Sequence, residues 1–69
     1  MIEVFSTNVI QRSDAARLEA LLAEALPGCS FNFDLEDCDR IFRIQSDRDV
    51  TEEVISLFRR HHFTCSVLS

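Results

Sequence analysis

The stretch CSFNFDLEDCDRIFRIQS, residues 29–46, alternates apolar and polar side chains on both sides of a short acidic segment. Strict alternation is typical of half-buried β-strands, because successive side chains of a strand point to opposite faces. The pattern therefore predicts a β-hairpin, with strands over residues 29–36 and 40–46 and a turn between them.

A tight turn at Asp37-Cys38 gives this hairpin a consistent register, although Asp-Cys is not a favoured pair for a two-residue turn. The register joins two apolar pairs across the hairpin, Phe33 with Phe42 and Phe31 with Ile44. Because a slip of one residue would turn one apolar set to the opposite face, this agreement supports the pairing. The hairpin thus has one apolar face that a second layer must cover.

Upstream of the hairpin, residues 1–7 alternate and predict another strand. We expect Ile2 and Val4 to face the core, and Glu3 and Phe5 to point to the other side of the sheet. This assignment leaves a large aromatic side chain on the uncovered face.

A helix is predicted between this strand and the hairpin. Ser13 is a favourable N-cap, Asp14 suits the first turn, and Pro27-Gly28 ends the helix at about residue 26. The residues of its apolar stripe are Ala15, Leu18, Leu22 and Ala25, with Leu21 and Leu26 alongside. The stripe indicates that one side of this helix packs on the sheet.

The last third of the chain predicts a second helix and a final strand. DVTE, residues 49–52, has the form of a capping box, with Asp49 as the N-cap. The residues that follow at helical spacing are Val54, Leu57, Phe58 and His61. Residues 63–68 alternate, and the side chains aligned on one side are Phe63, Cys65 and Val67.

The predicted order of elements is βαββαβ in one domain, residues 1–69. A standard solution for this order is a four-stranded antiparallel sheet with both helices on one face, the ferredoxin-like α+β sandwich. The first and third strands are then central, and the second and fourth form the edges.

Composition narrows the function. The chain has seven cations, all arginine, against twelve carboxylates, and the resulting charge of −5 disfavours a nucleic-acid partner. The stretch 40–46 also lacks the basic-aromatic signature of an RNA-binding strand. No apolar run is long enough for a membrane span, and the N-terminus does not resemble a secretory signal, so we expect a cytoplasmic protein that does not bind membranes. Three widely spaced cysteines fit reduced thiols better than a disulfide framework.

The chain resembles the heavy-metal-associated (HMA) domain, the fold of copper chaperones and of N-terminal modules of metal-pumping ATPases. The resemblance is carried by the order of elements, by LEALL at residues 18–22, which matches a Val-Glu-x-x-Leu helical pattern, and by HHFTCSVL at residues 61–68. It spans nearly the whole chain. The family carries its metal on a Gly-Met-x-Cys-x-x-Cys loop between the first strand and the first helix.

In that loop this sequence departs from the family. Counting back without a gap, Asn8-Val9 falls on the Gly-Met pair, and Gln11 and Asp14 fall on the two cysteine slots. An amide and one carboxylate are weak, hard ligands, whereas paired thiolates suit Cu(I) or Zn(II). The family's metal site therefore does not carry over, and we predict no cofactor. Val9 can still fill the core where the methionine would.

A different metal site is the alternative. The predicted topology gathers the loop after the first strand, the hairpin turn and the loop after the second helix at one end of the sheet. Cys38, His61 and His62 lie at that end together with acidic residues, and thiolate, imidazole and carboxylate groups are zinc ligands. The competing structural interpretation is a free surface thiol and two histidines that favour a helix C-terminus.

The uncovered face of the sheet carries the leading hypothesis. On the predicted alternation Phe5 and Ile41 are exposed neighbours on the two central strands, with Arg43 beside them. An apolar patch edged by polar groups is typical of a contact surface. We predict a non-enzymatic module that binds a protein partner or a second copy of itself through Phe5, Ile41 and Arg43. A Cys-His nucleophile would require a contact and an orienting group that the sequence does not indicate.

Overall fold

A computed structural model describes residues 1–68 of the protein, with four strands and two helices in the predicted order. The strands are β1 (Ile2–Thr7), β2 (Ser30–Asp34), β3 (Ile41–Gln45) and β4 (Cys65–Val67). The helices are α1 (Arg12–Ala25) and α2 (Thr51–Arg60). Together they form the α+β, ferredoxin-like βαββαβ arrangement that the alternation and the helical stripes predict.

The four strands form one antiparallel sheet in the order β2-β3-β1-β4, so β1 and β3 are central and β2 and β4 are edges. The hairpin register is confirmed. Phe31 lies opposite Ile44, and Phe33 lies opposite Phe42. This register brings the apolar side chains of both strands to the face that the helices cover.

The hairpin turn is longer than the predicted two-residue turn, because ladder pairing ends at Asp34 and Ile41. The connection is organised by the Asp37 carboxylate, which accepts a hydrogen bond from the Asp39 N–H at 2.9 Å, and by the Arg40 N–H, which donates to the Asp37 C=O. Arg40 takes a positive φ of 50°. A two-residue turn needs glycine or asparagine conformations that Asp37-Cys38 does not favour, so the chain uses a wider Asx turn instead.

The core lies between the sheet and the two helices. Its contiguous cluster combines sheet residues such as Phe42 and Ile44 with helix residues such as Leu18 and Phe58. Phe42 is at the centre of its aromatic part, with ring centroids 4.8 Å from Phe33 and 5.3 Å from Phe58. Of the predicted helical stripes, the buried residues are Ala15, Leu18, Leu22, Leu26, Val54, Leu57 and Phe58, whereas Ala25, the last residue of α1, is exposed.

Both helices begin differently from the sequence prediction. Ser13 is not the N-cap of α1; Gln11 is, and its C=O accepts hydrogen bonds from the N–H groups of Asp14 and Ala15. At α2 the N-cap is Val50, and the Asp49 carboxylate accepts a hydrogen bond from the Thr51 N–H at 2.9 Å. Hydrogen bonds from Thr51 hold the pKa of Asp49 below its usual value. Asp49 thus serves the first turn from one residue further out than a capping box requires.

His62 has a backbone role at the end of α2. The Phe63 N–H donates to the Phe58 C=O and the His62 N–H donates to the Arg59 C=O, while His62 has a φ of 69°. These are the two bonds and the left-handed residue of a Schellman motif, in which the left-handed position is usually glycine. Phe63 then packs against the core. His62 therefore occupies a backbone position that ends the helix.

Candidate interaction surface

Phe5, predicted to be exposed, is fully buried at 0 % exposure. It lies opposite Phe42 in β3 and Val67 in β4, and its ring centroid is 6.1 Å from that of Phe42. The predicted side of β1 is therefore wrong. Glu3 and Phe5 share the face of the helices, while Ile2 and Val4 point to the uncovered face, because they lie opposite Gln45 and Arg43.

Ile41 lies on the uncovered face, as predicted, but it is only 4 % exposed. It is opposite Asp34 in β2 and alternates with Phe42, which belongs to the core cluster, whereas Ile41 does not. As the first residue of β3 it lies between the edge strand β2 and the central strand β1, and it is buried although it is on the side away from the helices. Neither Phe5 nor Ile41 therefore offers surface to a partner.

A different set of aliphatic side chains forms an apolar patch on the uncovered face. Ile2 is 65 % exposed and Leu68 is 42 % exposed, and half-buried Val4 lies between them. The Leu68 N–H donates to the Val4 C=O at 2.8 Å, so these two side chains are cross-strand neighbours. We refer to Ile2, Val4 and Leu68 as the β1–β4 patch.

Arg43 is exposed, as predicted, but its neighbours are those of the β1–β4 patch and not Phe5. It lies opposite Val4 on one side and Asn32 on the other. Within residues 1–68 no carboxylate lies within ion-pair distance of Arg43. A groove of about 240 Å³ passes between Ile2 and Arg43, with Asn32 and Gln45 in its wall. The uncovered face thus combines an aliphatic strip with a cation beside it.

The sequence contains one signal that could have assigned β1 correctly. Phe5 and Val9 are separated by four residues and share a face if the chain stays extended. Val9 is fully buried, as its position in the first loop predicts. Placing Phe5 on the same side as Val9 would have exposed Ile2 and Val4 and identified the patch.

The three loops expected at one end of the sheet do meet there. The Thr7 N–H donates to the Asp39 C=O at 3.0 Å, which ties the hairpin turn to the end of β1. The Asn8 side-chain oxygen accepts a hydrogen bond from the Thr64 N–H at 2.9 Å, which ties the loop after α2 to the same place. The predicted convergence is therefore confirmed by two hydrogen bonds.

Potential metal ligands cluster only in part at this end. Among residues 1–68, three donor groups within 4.8 Å of one another are Asp37, Cys38 and Asp39, all of them exposed. His61 and His62 lie outside this group. The hairpin and the loop after α2 continue from β3 and β4, which flank β1 on opposite sides and are therefore about 10 Å apart. The structure does not bring the histidines to Cys38.

Gln11 and Asp14, the residues that the sequence resemblance aligns with the two cysteines, lie at the start of α1. Gln11 is exposed, and its backbone caps the helix. The Asp14 carboxylate lies 3.7 Å from the Arg17 guanidinium, one turn further along α1. Both positions therefore have roles in beginning the helix.

The three cysteines are free thiols in different surroundings. Cys38 is exposed, Cys29 is half-buried against the core, and Cys65 is buried. Burial raises the pKa of Cys65 to about 12, because the thiolate would lose its hydration. Cys65 is therefore protonated at neutral pH and behaves as a small apolar side chain.

A groove of about 520 Å³ lies at the opposite end of the sheet, lined by the loop after α1 and by residues 45–48. Its cation, Arg48, forms an ion pair with Glu53. Hydrogen bonding to Arg48 keeps the pKa of Glu53 below its usual value. The guanidinium at this groove is thus already engaged by α2.

No helix among residues 1–68 is long and apolar enough to cross a membrane. Comparison with known proteins adds no relative to this description. No family model, no curated protein and no solved structure matches the chain.

Proposed function

We propose that this chain is a non-enzymatic protein-binding module that has the frame of an HMA domain without its metal loop. Its binding surface is the β1–β4 patch together with Arg43. The observation that carries this proposal is the exposure of Ile2 and Leu68 on either side of Val4, on the face of the sheet opposite the helices. Contiguous exposed aliphatic side chains edged by polar groups mark contact surfaces.

The surface favours one kind of partner chemistry. A partner that covers the β1–β4 patch must present an apolar face, because burial of aliphatic area drives association. Arg43 has no carboxylate within ion-pair distance among the described residues, so a carboxylate at the edge of the partner face would complement it. The proposed partner is therefore a protein with an apolar surface and an acidic rim.

The non-enzymatic part of the proposal is supported by the state of the reactive groups. Cys65 is a protonated, buried thiol, and His62 occupies the left-handed position that ends α2. Cys38 is exposed to solvent on the hairpin connection, whereas active sites exclude water from the reacting groups. Three free thiols also fit a reducing compartment such as the cytoplasm.

The test compares three immobilised baits: the parent, the double variant Ile2→Gln with Leu68→Gln, and the control Ile10→Gln. The exposed fraction of Ile10 is 63 %, similar to the 65 % of Ile2, but Ile10 lies in the loop before α1 and away from the patch. A protein retained by parent and control, but lost from the double variant, is then purified and titrated against all three.

We expect the double variant to bind this purified protein at least about tenfold more weakly than the parent, because two anchoring side chains are removed. The control should bind like the parent. Far-UV circular dichroism confirms that all three baits are folded. If every retained protein binds the three baits equally, the β1–β4 patch is not the binding surface.

Metal binding is the second candidate function, and the observation that favours it is the grouping of Asp37, Cys38 and Asp39 within 4.8 Å. One thiolate and two carboxylates are an available ligand set for Zn(II). A titration of the reduced protein with Zn(II) and with Cu(I) tests it by following the NMR signals of Cys38, His61 and His62. Shifts at micromolar metal that vanish in Cys38→Ser would support the site, and unchanged signals would exclude it.

A further inference from the structure

The outer edge of β4 carries backbone groups that have no hydrogen-bond partner within residues 1–68. The Leu68 N–H donates to the Val4 C=O, and Ser66 lies opposite Ser6 two residues away, so the backbone of these even-numbered residues faces β1. The N–H and C=O groups of Cys65 and Val67 consequently point away from the sheet. An unpaired edge of this kind is a template for another strand.

The outward surface of α2 continues from this edge. Glu52, Ile55, Ser56 and Arg59 line a groove of about 330 Å³ along the helix. Ile55 and Arg59 also line a second groove, of about 270 Å³, with the stretch from Phe63 to Ser66. The two grooves share residues, so the outer side of α2 and the edge of β4 form one continuous surface.

The charges on this surface are complementary to themselves. Glu52 and Arg59 are exposed at opposite ends of the outer side of α2, two helical turns apart, with Ile55 between them. Neither has an ion-pair partner among residues 1–68, whereas the neighbouring Glu53 is paired with Arg48. A second α2 placed antiparallel would set each Glu52 beside the Arg59 of the other copy.

We propose that a second copy of this chain docks on this surface about a two-fold axis, with β4 paired antiparallel to the second β4. Cys65 of each copy then lies opposite Val67 of the other, and their outward N–H groups donate to each other's C=O groups. Ser66 meets Ser66 of the second copy at the axis. The two α2 helices lie side by side above the joined strands.

Two features of this surface, the exposed Val67 and the self-complementary charges, favour a second copy over an unrelated partner. Val67 is 46 % exposed on the face of the helices, and pairing of the two β4 strands covers it with the other copy. An isologous interface requires a surface complementary to itself, and Glu52 with Arg59 provides this twice. The result is a continuous eight-stranded sheet whose uncovered face carries two β1–β4 patches.

The dimer is independent of the proposed function, because it uses the edge of β4 and the outer side of α2. The patch variants Ile2→Gln and Leu68→Gln change side chains on the uncovered face, and they leave the outward backbone groups of Cys65 and Val67 and the outer side of α2 unchanged. Loss of binding to another protein and loss of dimerisation are therefore separate results.

The first test measures mass against concentration, by analytical ultracentrifugation at physiological ionic strength, where repulsion between two copies of charge −5 is screened. We expect the mass to rise from 7.9 kDa toward twice that value as concentration increases. A parent that remains a monomer up to about 1 mM, the weak end of specific association, overturns the proposal.

Val67→Pro tests the strand pairing. Proline removes the Val67 N–H, which points away from β1, so the ladder within one chain keeps its hydrogen bonds. We expect a folded protein that stays monomeric at concentrations where the parent is a dimer. A folded Val67→Pro protein that dimerises like the parent contradicts the pairing.

Charge reversal tests the α2 contact without touching the sheet. Glu52→Arg and Arg59→Glu each place like charges together twice in a dimer, and each should weaken association about tenfold. The double variant restores both ion pairs and should dimerise like the parent. Glu24→Arg, an exposed position on α1, is the matched control and should have no effect.

Mixing Glu52→Arg with Arg59→Glu gives the most direct test of the contact between the two α2 helices. A mixed dimer pairs the two arginines of Glu52→Arg with the two glutamates of Arg59→Glu, so it should form in preference to either self-dimer. Native mass spectrometry distinguishes the three species by mass. If the mixture shows no excess of mixed dimer, and the double variant does not recover, the proposed arrangement of α2 is wrong.

Discussion

Truncation of Phe5 tests the orientation of β1 and with it the position of the β1–β4 patch. If Phe5 pointed to the uncovered face, Phe5→Ala would be an ordinary surface change, within about 0.5 kcal/mol of the parent. Because Phe5 is fully buried against Phe42, removing its ring instead leaves a cavity in the core. Such a change costs about 3–5 kcal/mol.

That cost is large for this chain. A domain of 69 residues has an expected free energy of unfolding of about 3–10 kcal/mol, at roughly 0.05–0.15 kcal/mol per residue. Phe5→Ala should therefore lose from about a third to all of the free energy of unfolding of the parent. Phe5→Leu is the graded change, and we expect it to lose about 1–2 kcal/mol, through the lost aromatic contact and a small void.

The assay is urea unfolding followed by far-UV circular dichroism, since the chain has no Trp or Tyr to serve as a fluorescent probe. The control is Ile2→Ala, at an exposed position of the same strand, and it should stay within about 0.5 kcal/mol of the parent. Equal m-values would show that the variants change stability and not the unfolded state. If Ile2→Ala is more costly than Phe5→Leu, the assignment of Phe5 to the core side of β1 is refuted.

Three further outcomes follow from the site geometry. An alkylating reagent should modify exposed Cys38 first and Cys65 last, because burial raises the Cys65 pKa to about 12 and keeps the thiol protonated. Peptide mass spectrometry gives the order of modification, and early modification of Cys65 would show that it is not buried. His62→Gly should raise the free energy of unfolding by up to about 1 kcal/mol, since glycine takes a φ of 69° without strain, and a clear loss of stability would assign the imidazole a contact that matters more than the backbone. The lowered pKa of Glu53 means that its ion pair with Arg48 stabilises the folded state above pH 4.5 and is lost as pH falls below that value. Glu53→Gln should flatten this part of the plot of unfolding free energy against pH, and an unchanged plot would show that the pair contributes nothing.

The sequence by itself determined most of the architecture. Residues 29–46 alternate so regularly that a single register satisfies both strands, and the structure has that register, with Phe33 opposite Phe42. The stripe through Leu18 and Leu22 likewise identifies the buried side of α1. Local periodicity is sufficient in these segments because the large apolar residues, Ile41 apart, fall on the same side.

Within residues 2–7 the alternation of β1 is ambiguous, and strand pairing in the tertiary structure decided which side is buried. Ile2 and Val4 make one side apolar, while the other side combines Phe5 with the acidic Glu3. Glu3 sits toward the end of the strand and is half-buried, so the carboxylate does not prevent Phe5 from entering the core. Pairing with β3 sets Phe5 opposite Phe42, and this contact fixes the side.

The tertiary structure also decided which residues form the candidate surface. Which aliphatic side chains remain exposed depends on the neighbours that β3 and β4 bring to β1, and those neighbours are distant in sequence. Ile41 is covered by strands on both sides, whereas Leu68 becomes part of a patch only because it pairs with Val4. Periodicity assigns a residue to a face, but burial on that face is a property of the assembled sheet.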